Sequence, residues 1–223
     1  MRQKAFASLL SLDDRAAAPG RGSGCLSFFV LPPLAVLLVA TVLLILGAHV
    51  PLPSTPLPSQ AQIAVLFTPE VRYWESAILR WSQIYQLEAN LIATVMQIES
   101  CGDPFARSSA GAMGLFQVMP YHFAEGENPF DIETNARRGL AYLKRALTSA
   151  SGDVRLALAA YNGGMMRLGQ DEWMWPSETQ RYVYWGTRIY EDARRGQEVS
   201  PGLQEWLAYG GRSLCAQARS RQP

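Results

Sequence analysis

The chain has 223 residues, a formal net charge of +1 and a hydrophobic fraction of 48%, which is enough sequence for one ordinary domain and an appendage. A net charge this close to zero gives no reason to expect nucleic acid or a strongly acidic partner. The histidines, His49 and His122, belong to no metal-binding motif such as HExxH. We therefore expect neither a catalytic metal nor another cofactor.

The N-terminal quarter predicts a membrane anchor. Residues 1–25 are polar, residues 26–48 contain no charged side chain, and residues 49–68 are rich in proline. As a helix, the uncharged segment would be about 34 Å long, enough to span the hydrocarbon core. Four basic residues precede this segment and none follows it before Arg72. The positive-inside tendency then places residues 1–25 in the cytoplasm and the rest outside, as in a single-pass bacterial membrane protein. A cleaved signal peptide remains the alternative.

The proline-rich linker of residues 49–68 is expected to be an extended spacer between the membrane and the next domain. Residues 69–195 then form that domain, and residues 196–223 form a C-terminal tail. Apolar residues recur at helical spacing throughout the domain, and no stretch alternates with a period of two. We therefore predict an all-α fold. The predicted helices begin near Thr68 with Pro69 as the first helical residue and continue over 88–100, from 131 onward, 153–160, 179–193 and 203–209.

Glu99 is the candidate catalytic residue. Ile92, Val95 and Met96 precede it by seven, four and three residues, so all four side chains share one helix face. Because that face is the apolar one, we expect the carboxyl to be buried and its pKa to be raised. The negative end of the helix dipole acts in the same direction. Both effects suit a general acid that keeps its proton near neutral pH.

The residues after Glu99 carry a family resemblance. Ser108 follows Glu99 by nine residues, Gly114–Pro120 reads GLFQVMP, Ala160–Gly163 reads AYNG, and Glu178-Thr179 precedes Tyr182-Val183. This set resembles the soluble lytic transglycosylase family, which is related to goose-type lysozyme. The similarity covers roughly residues 69–195. The chain departs from the family pattern at Phe116, where methionine is usual, and between Met165 and Pro176.

The resemblance implies a lysozyme-like domain that binds peptidoglycan glycan strands. Such enzymes cut between N-acetylmuramic acid and N-acetylglucosamine without consuming water and leave a 1,6-anhydro end. Glu99 would be the catalytic acid and base. The other residues implied are Ser108, Gln117, Tyr161, Glu178 and Tyr182 for substrate binding, and Gly114 and Asn162 for structural support.

Three alternatives remain at this point. A hydrolytic muramidase would use the same acid, a cysteine peptidase would use Cys101 with His122, and a wall-binding scaffold would need no chemistry. Trp173 and Trp175 would either stack on sugars or pack beneath a loop. Cys101 and Cys215 share an oxidising compartment if the predicted topology holds, so a disulfide between them is possible. The sequence does not decide whether their α-carbons are close enough.

Overall fold

The computed structural model describes residues 62–222. Within this range the chain forms eight α-helices joined by short loops and single helical turns. They are α1 (Pro69–Arg72), α2 (Glu75–Tyr85), α3 (Ala89–Glu99), α4 (Ile132–Ser149), α5 (Val154–Gly163), α6 (Ser177–Arg194), α7 (Pro201–Trp206) and α8 (Arg212–Arg219). The described residues form no strand beyond isolated bridges at Arg107–Met113 and Met113–Val118. The prediction of a helical domain is therefore confirmed for this part of the chain.

The helix boundaries follow local capping chemistry. The Asp131 carboxylate accepts a hydrogen bond from Thr134 N at 2.8 Å, and that of Asp153 accepts one from Leu156 N at 3.1 Å. These bonds satisfy backbone donors that the first turn of a helix leaves free. Thr68 precedes α1 as predicted, with Pro69 as the first helical residue.

Three predicted elements differ from the structure. The first predicted helix is two helices, α1 and α2, because the chain turns at Trp74. Helix α5 continues to Gly163, so Tyr161 and Asn162 lie in its last turn instead of in a loop. The tail contains α7, a π-helical turn at Leu207–Gly211 and α8, where one short helix was expected.

Helix α3 lies at the centre of the core. Every residue from Ala89 to Gln97 is buried, and the helix packs against both α2 and α6. On the α2 side, the ring of Trp81 meets that of Phe116 edge to face, with centroids 5.7 Å apart. The helix that ends at Glu99 is therefore held on all sides by apolar side chains.

The C-terminal segment is tied to the start of the domain and to the turn after Glu99. Cys215 of α8 forms a disulfide with Cys101, with α-carbons 5.0 Å apart. Arg219 Nε donates to the buried Glu70 carboxylate at 2.8 Å, and Arg221 Nη1 donates to the buried Asp103 carboxylate at 3.2 Å. A buried carboxylate without a partner would be strongly destabilising. These contacts make residues 200–222 part of the folded domain, and we call this segment the C-terminal strap.

Two predictions concern residues outside the described range. The predicted transmembrane helix, residues 26–48, lies there, as does the predicted linker up to residue 61. Among the helices of residues 62–222, none combines the length and the apolar character that crossing a bilayer requires. The domain boundaries given above stay predictions.

The strap generates a prediction about stability. The disulfide closes a segment of 114 residues, so replacing both cysteines by alanine should lower the free energy of unfolding by about 2–5 kcal/mol. Urea titration followed by circular dichroism would measure this loss. Arg212→Ala, which replaces an exposed arginine of the same helix, is the control and should change stability little. Equal stability of the double variant and the parent chain would contradict this role of the strap.

Candidate active site

Glu99 is the last residue of α3, and the chain turns sharply after it. Ser100 Oγ donates to the carbonyl of Leu115 at 2.7 Å and accepts from Gly102 N at 3.1 Å. Gly102 has φ of +81°, and a Cβ there would lie 2.8 Å from the Glu70 carbonyl oxygen. Only glycine fits this position without displacing the backbone. The end of α3 is thus fixed from two sides.

The loop of residues 106–118 passes in front of Glu99 and is held by buried amide groups. Asn135 of α4 donates through Nδ2 to the carbonyls of Met113 and Pro129, at 2.8 and 2.9 Å, and accepts from Phe116 N at 2.9 Å. Gly114, with φ of +74°, lies so close to Asn135 that a Cβ would come within 2.3 Å of Nδ2. The predicted structural role of Gly114 therefore has a steric basis here.

A cleft of about 410 Å³ opens beside Glu99. The loop of residues 106–118, the turn after it, and helices α4, α5 and α6 form its walls. The lining includes Glu99, Ser108, Gln117, Met119, Tyr121, His122, Arg138, Tyr142, Tyr161, Asn162 and Glu178. A cleft of this volume with mixed polar and aromatic walls suits a polar ligand with flat apolar faces.

The Glu99 carboxyl is half-buried and its pKa is raised from 4.5 to about 8. Burial is the main cause, because loss of water penalises the charged form. The Tyr182 hydroxyl opposes this effect and lowers the pKa, whereas the nearby negative charge of Glu178 raises it. The predicted neutral acid therefore has the environment that it requires near pH 7.

Two tyrosines flank this carboxyl. Tyr182 is buried behind Glu99 and does not line the cleft, although the sequence suggested that it binds substrate. Its hydroxyl is close enough to Glu99 to lower the pKa of the carboxyl. The geometry does not meet the criteria for a hydrogen bond, and the hydroxyl has no other hydrogen-bond partner among the described residues. Tyr161 lines the cleft and donates to the Phe116 carbonyl at 2.8 Å. Burial raises the pKa of both phenols, so they remain donors at neutral pH.

The other predicted residues also surround the cleft, with different partners. Ser108 Oγ accepts from Ala112 N at 3.0 Å, and Gln117 Nε2 donates to the carbonyls of Ala106 and Gly114 at 3.2 and 3.0 Å. Both side chains thus shape the loop while they line the cleft. Asn162 Oδ1 accepts from Thr179 Oγ1 at 2.8 Å and links α5 to α6. Glu178 lies in the first turn of α6.

Several residues of the site were not predicted from the sequence. Asn135 lies eight positions before Leu143 on the buried face of α4. An amide side chain on this apolar stripe was the feature of the sequence that could have indicated its role. Tyr121, His122 and Tyr142 line the cleft away from Glu99. Their spacing along the chain gave no sign that they meet, because the turn after Pro120 and α4 are brought together only by the fold.

Other candidate chemistry finds little support. Cys101 is buried and bonded to Cys215, so it offers no thiolate to a cysteine peptidase. Within residues 62–222, the only group of side chains that could hold a metal ion consists of Glu70, Cys101 and Cys215. Its two cysteines are bonded to each other, and the Glu70 carboxylate is bound by Arg219. Trp175 is 3% exposed and Trp173 is 77% exposed. Both border a separate groove on the α6 side instead of the cleft.

Part of this chain is similar to known proteins. Residues 76–177 match the family model described as Transglycosylase SLT domain. The chain is 36% identical over 114 residues to a Transglycosylase of Enterobacteria phage PRD1, covering 50% of this chain and 40% of that protein. It is 35% identical over 103 residues to Membrane-bound lytic murein transglycosylase C of Sodalis glossinidius, covering 37% and 29%.

A solved structure of an inactive mutant of the lytic transglycosylase Slt from Pseudomonas aeruginosa is also similar. It is 23% identical with a TM-score of 0.40, over 66% of this chain and 25% of that one. The chain thus spans less than half the length of the two curated relatives described above.

The pKa of Glu99 generates a prediction about stability. The Glu99 carboxyl has a pKa of 4.5 in the unfolded chain and about 8 in the folded chain. Its contribution to the free energy of unfolding is therefore fully present below pH 4.5 and is lost as the pH rises towards 8. Glu99→Gln cannot ionise, so its stability relative to the parent chain should increase between pH 4.5 and 8 and then level off. Urea unfolding at several pH values would measure the difference. The surface variant Glu198→Gln should not reproduce this trend, and a constant difference for Glu99→Gln would refute a buried neutral acid.

Proposed function

We propose that this chain, whose residues 76–177 match the family model described as Transglycosylase SLT domain, is a peptidoglycan lytic transglycosylase. The observation that carries the proposal is a half-buried carboxyl, with a pKa of about 8, that faces a cleft large enough for sugar units. The names of the similar proteins support the same activity.

In the first step, Glu99 protonates the glycosidic oxygen between N-acetylmuramic acid and N-acetylglucosamine. The neutral form required for this step predominates below pH 8. As the bond breaks, positive charge develops at the anomeric carbon of the muramyl residue. The 2-acetamido group of that sugar can stabilise this charge, so a second carboxylate at the usual glycosidase separation is not required.

In the second step, the ionised Glu99 acts as the base. It removes the proton from the C6 hydroxyl of the muramyl residue, and the oxygen closes onto C1 to form the 1,6-anhydro ring. No water is consumed and the acid is regenerated. The Tyr182 hydroxyl favours the ionised form of Glu99, which this step requires.

The surrounding residues position the substrate. Ser108 and Gln117 line the cleft on the loop side and present oxygen and amide groups to the sugars, while Tyr161 borders the reacting centre. Glu178 adds a negative charge that helps to keep Glu99 protonated. Asn162 supports the site by linking α5 to α6.

The location proposed for the enzyme is the outer side of a bacterial cell membrane, with residues 26–48 as the anchor. The Cys101–Cys215 disulfide supports an oxidising compartment for the domain. The Sodalis relative is described as membrane-bound, which is consistent with the anchor.

The first test of the activity uses the mass of the products. The purified chain, incubated with peptidoglycan sacculi, should release muropeptides with 1,6-anhydro ends, lighter by one water than hydrolysis products. Glu99→Gln should reduce release by about a thousandfold or more, because the amide cannot donate the proton. Products with reducing ends would instead support a hydrolytic muramidase, and undiminished activity of Glu99→Gln would refute the role of Glu99.

The second test uses the pH profile of kcat. Activity should fall as pH rises through about 8, because Glu99 loses the proton that it donates. Tyr182→Phe removes the hydroxyl that lowers the pKa of Glu99, so the descending limb should move to higher pH and kcat should decrease. Tyr184→Phe, at an exposed position on the same helix, is the matched control and should leave the profile in place. An unchanged profile in Tyr182→Phe would contradict the coupling.

A further inference from the structure

A row of four rings lines the cleft from the reacting centre outwards. The ring centroids of Tyr161 and Tyr142 are 5.7 Å apart, those of Tyr142 and His122 are 5.0 Å apart, and those of His122 and Tyr121 are 4.5 Å apart. All four side chains border the cleft, and Tyr121 is 75% exposed at the outer end. We call these residues the aromatic row. It presents flat apolar surfaces of the kind that sugar rings pack against.

A positive charge lies over this row. The guanidinium carbon of Arg145 is 4.9 Å from the centroid of the Tyr142 ring, within the range of a cation–π contact. The Arg145 charge also reaches His122, where it adds to burial in lowering the pKa of the imidazole. Its field is therefore present inside the cleft, on the side away from Glu99.

Arg145 differs from the neighbouring arginines in its free hydrogen-bonding capacity. Arg138 directs Nε and Nη2 to the Glu127 carboxylate at 2.8 Å each, and Arg137 Nη2 donates to the same carboxylate at 2.8 Å. One carboxylate therefore serves two guanidinium groups, which leaves this cluster with a positive charge. Within the described part of the chain, no carboxylate lies within ion-pair distance of Arg145.

The N–H donors of a guanidinium group lie in one plane. Two of them together match the two oxygens of a carboxylate. Arg145 is exposed, lies against a ring that lines the cleft, and has no carboxylate partner among the described residues. It is thus available to an anionic group on a ligand that lies along the aromatic row.

We propose that Arg145 binds a carboxylate of the glycan substrate while the aromatic row supports its sugar rings, which makes Arg145 a specificity-determining residue. This inference rests on the proposed function. Two carboxylates of peptidoglycan share the required chemistry. One belongs to the lactyl group of a muramyl residue without a peptide, and the other belongs to the attached peptide.

Three substrates separate these sources. The first is glycan strands with their peptides, in which the lactyl carboxyl is an amide. The second is strands stripped by an amidase, which carry free lactyl carboxylates. The third is stripped strands whose lactyl groups have been converted to methylamides, which are neutral. The full chain and its Arg145→Gln and Arg145→Lys variants would be compared on each by kcat/KM, with kcat and KM separated.

Arg145→Gln should lower kcat/KM by about tenfold on a carboxylate-bearing substrate, mainly through KM, and leave the neutral substrate unaffected. A loss on the first substrate identifies the peptide carboxylate, and a loss on the second identifies the lactyl carboxylate. Arg145→Lys should recover part of the loss, because the ammonium keeps the charge without the planar pair of donors. Equal losses on all three substrates, or no loss on any, would overturn the inference.

Unchanged turnover of the neutral substrate shows that the variant is folded. Arg212→Gln, at an exposed position in α8, is the control for loss of one positive charge and should have no effect on any substrate. If the parent chain cuts no substrate, or if Glu99→Gln remains active, the proposed function fails and this inference fails with it. If the parent chain is active and Arg145→Gln shows no preference, only the role of Arg145 is refuted.

Discussion

The structure depends on one constraint, which is that a carboxyl must stay neutral where an apolar helix meets a polar cleft. Helix α3 is buried from Ala89 to Gln97, and Glu99 is its last residue. Removal of water raises the pKa of this carboxyl to about 8. The helix dipole adds to the same effect because its negative end lies at Glu99. A proton donor at neutral pH thus results mainly from the position of Glu99 in the fold.

Such a carboxyl is useful only if its position is fixed, and much of the remaining structure serves that purpose. Ser100 ties the end of α3 to Leu115, and Asn135 ties the loop of residues 106–118 to α4. The C-terminal strap adds the disulfide from Cys215 to Cys101, two residues after Glu99. The strap lies beyond residues 76–177, the part that matches the family model. In this chain the turn after Glu99 is therefore held by a segment outside that match.

In the proposed function, one end of the cleft carries the chemistry and the other end recognises the substrate. Glu99, Tyr182 and Glu178 are electrostatically coupled at one end, where protons would move. The aromatic row and Arg145 lie towards the other end, where the charge is positive and the walls are flat rings. A glycan with sugar faces and occasional carboxylates suits this division. Glu99 and an acidic group on the substrate would then be kept apart, which favours the protonated form of the acid.

The sequence by itself determined the helical class, some helix boundaries and the candidate acid. Helical period and helix-starting residues are local properties, so helix starts near Asp131 and Asp153 could be predicted, and the stripe of Ile92, Val95 and Met96 indicated the burial of Glu99. The motif residues were recognised as cleft residues by resemblance. The hydrogen-bond partners of these residues were not predicted. Ser108 and Gln117 form hydrogen bonds within their own loop, and Tyr182 lies behind Glu99.

Only the tertiary structure decided which distant residues meet. Four sets of contacts join segments that are far apart in the chain. They are the disulfide between Cys101 and Cys215, the ion pairs of the C-terminal strap, the support of the loop by Asn135, and the aromatic row. Such contacts depend on how helices pack, and packing is set by the summed shape of many side chains instead of by any local pattern. The sequence therefore identified the candidate acid, while the fold determined what surrounds it.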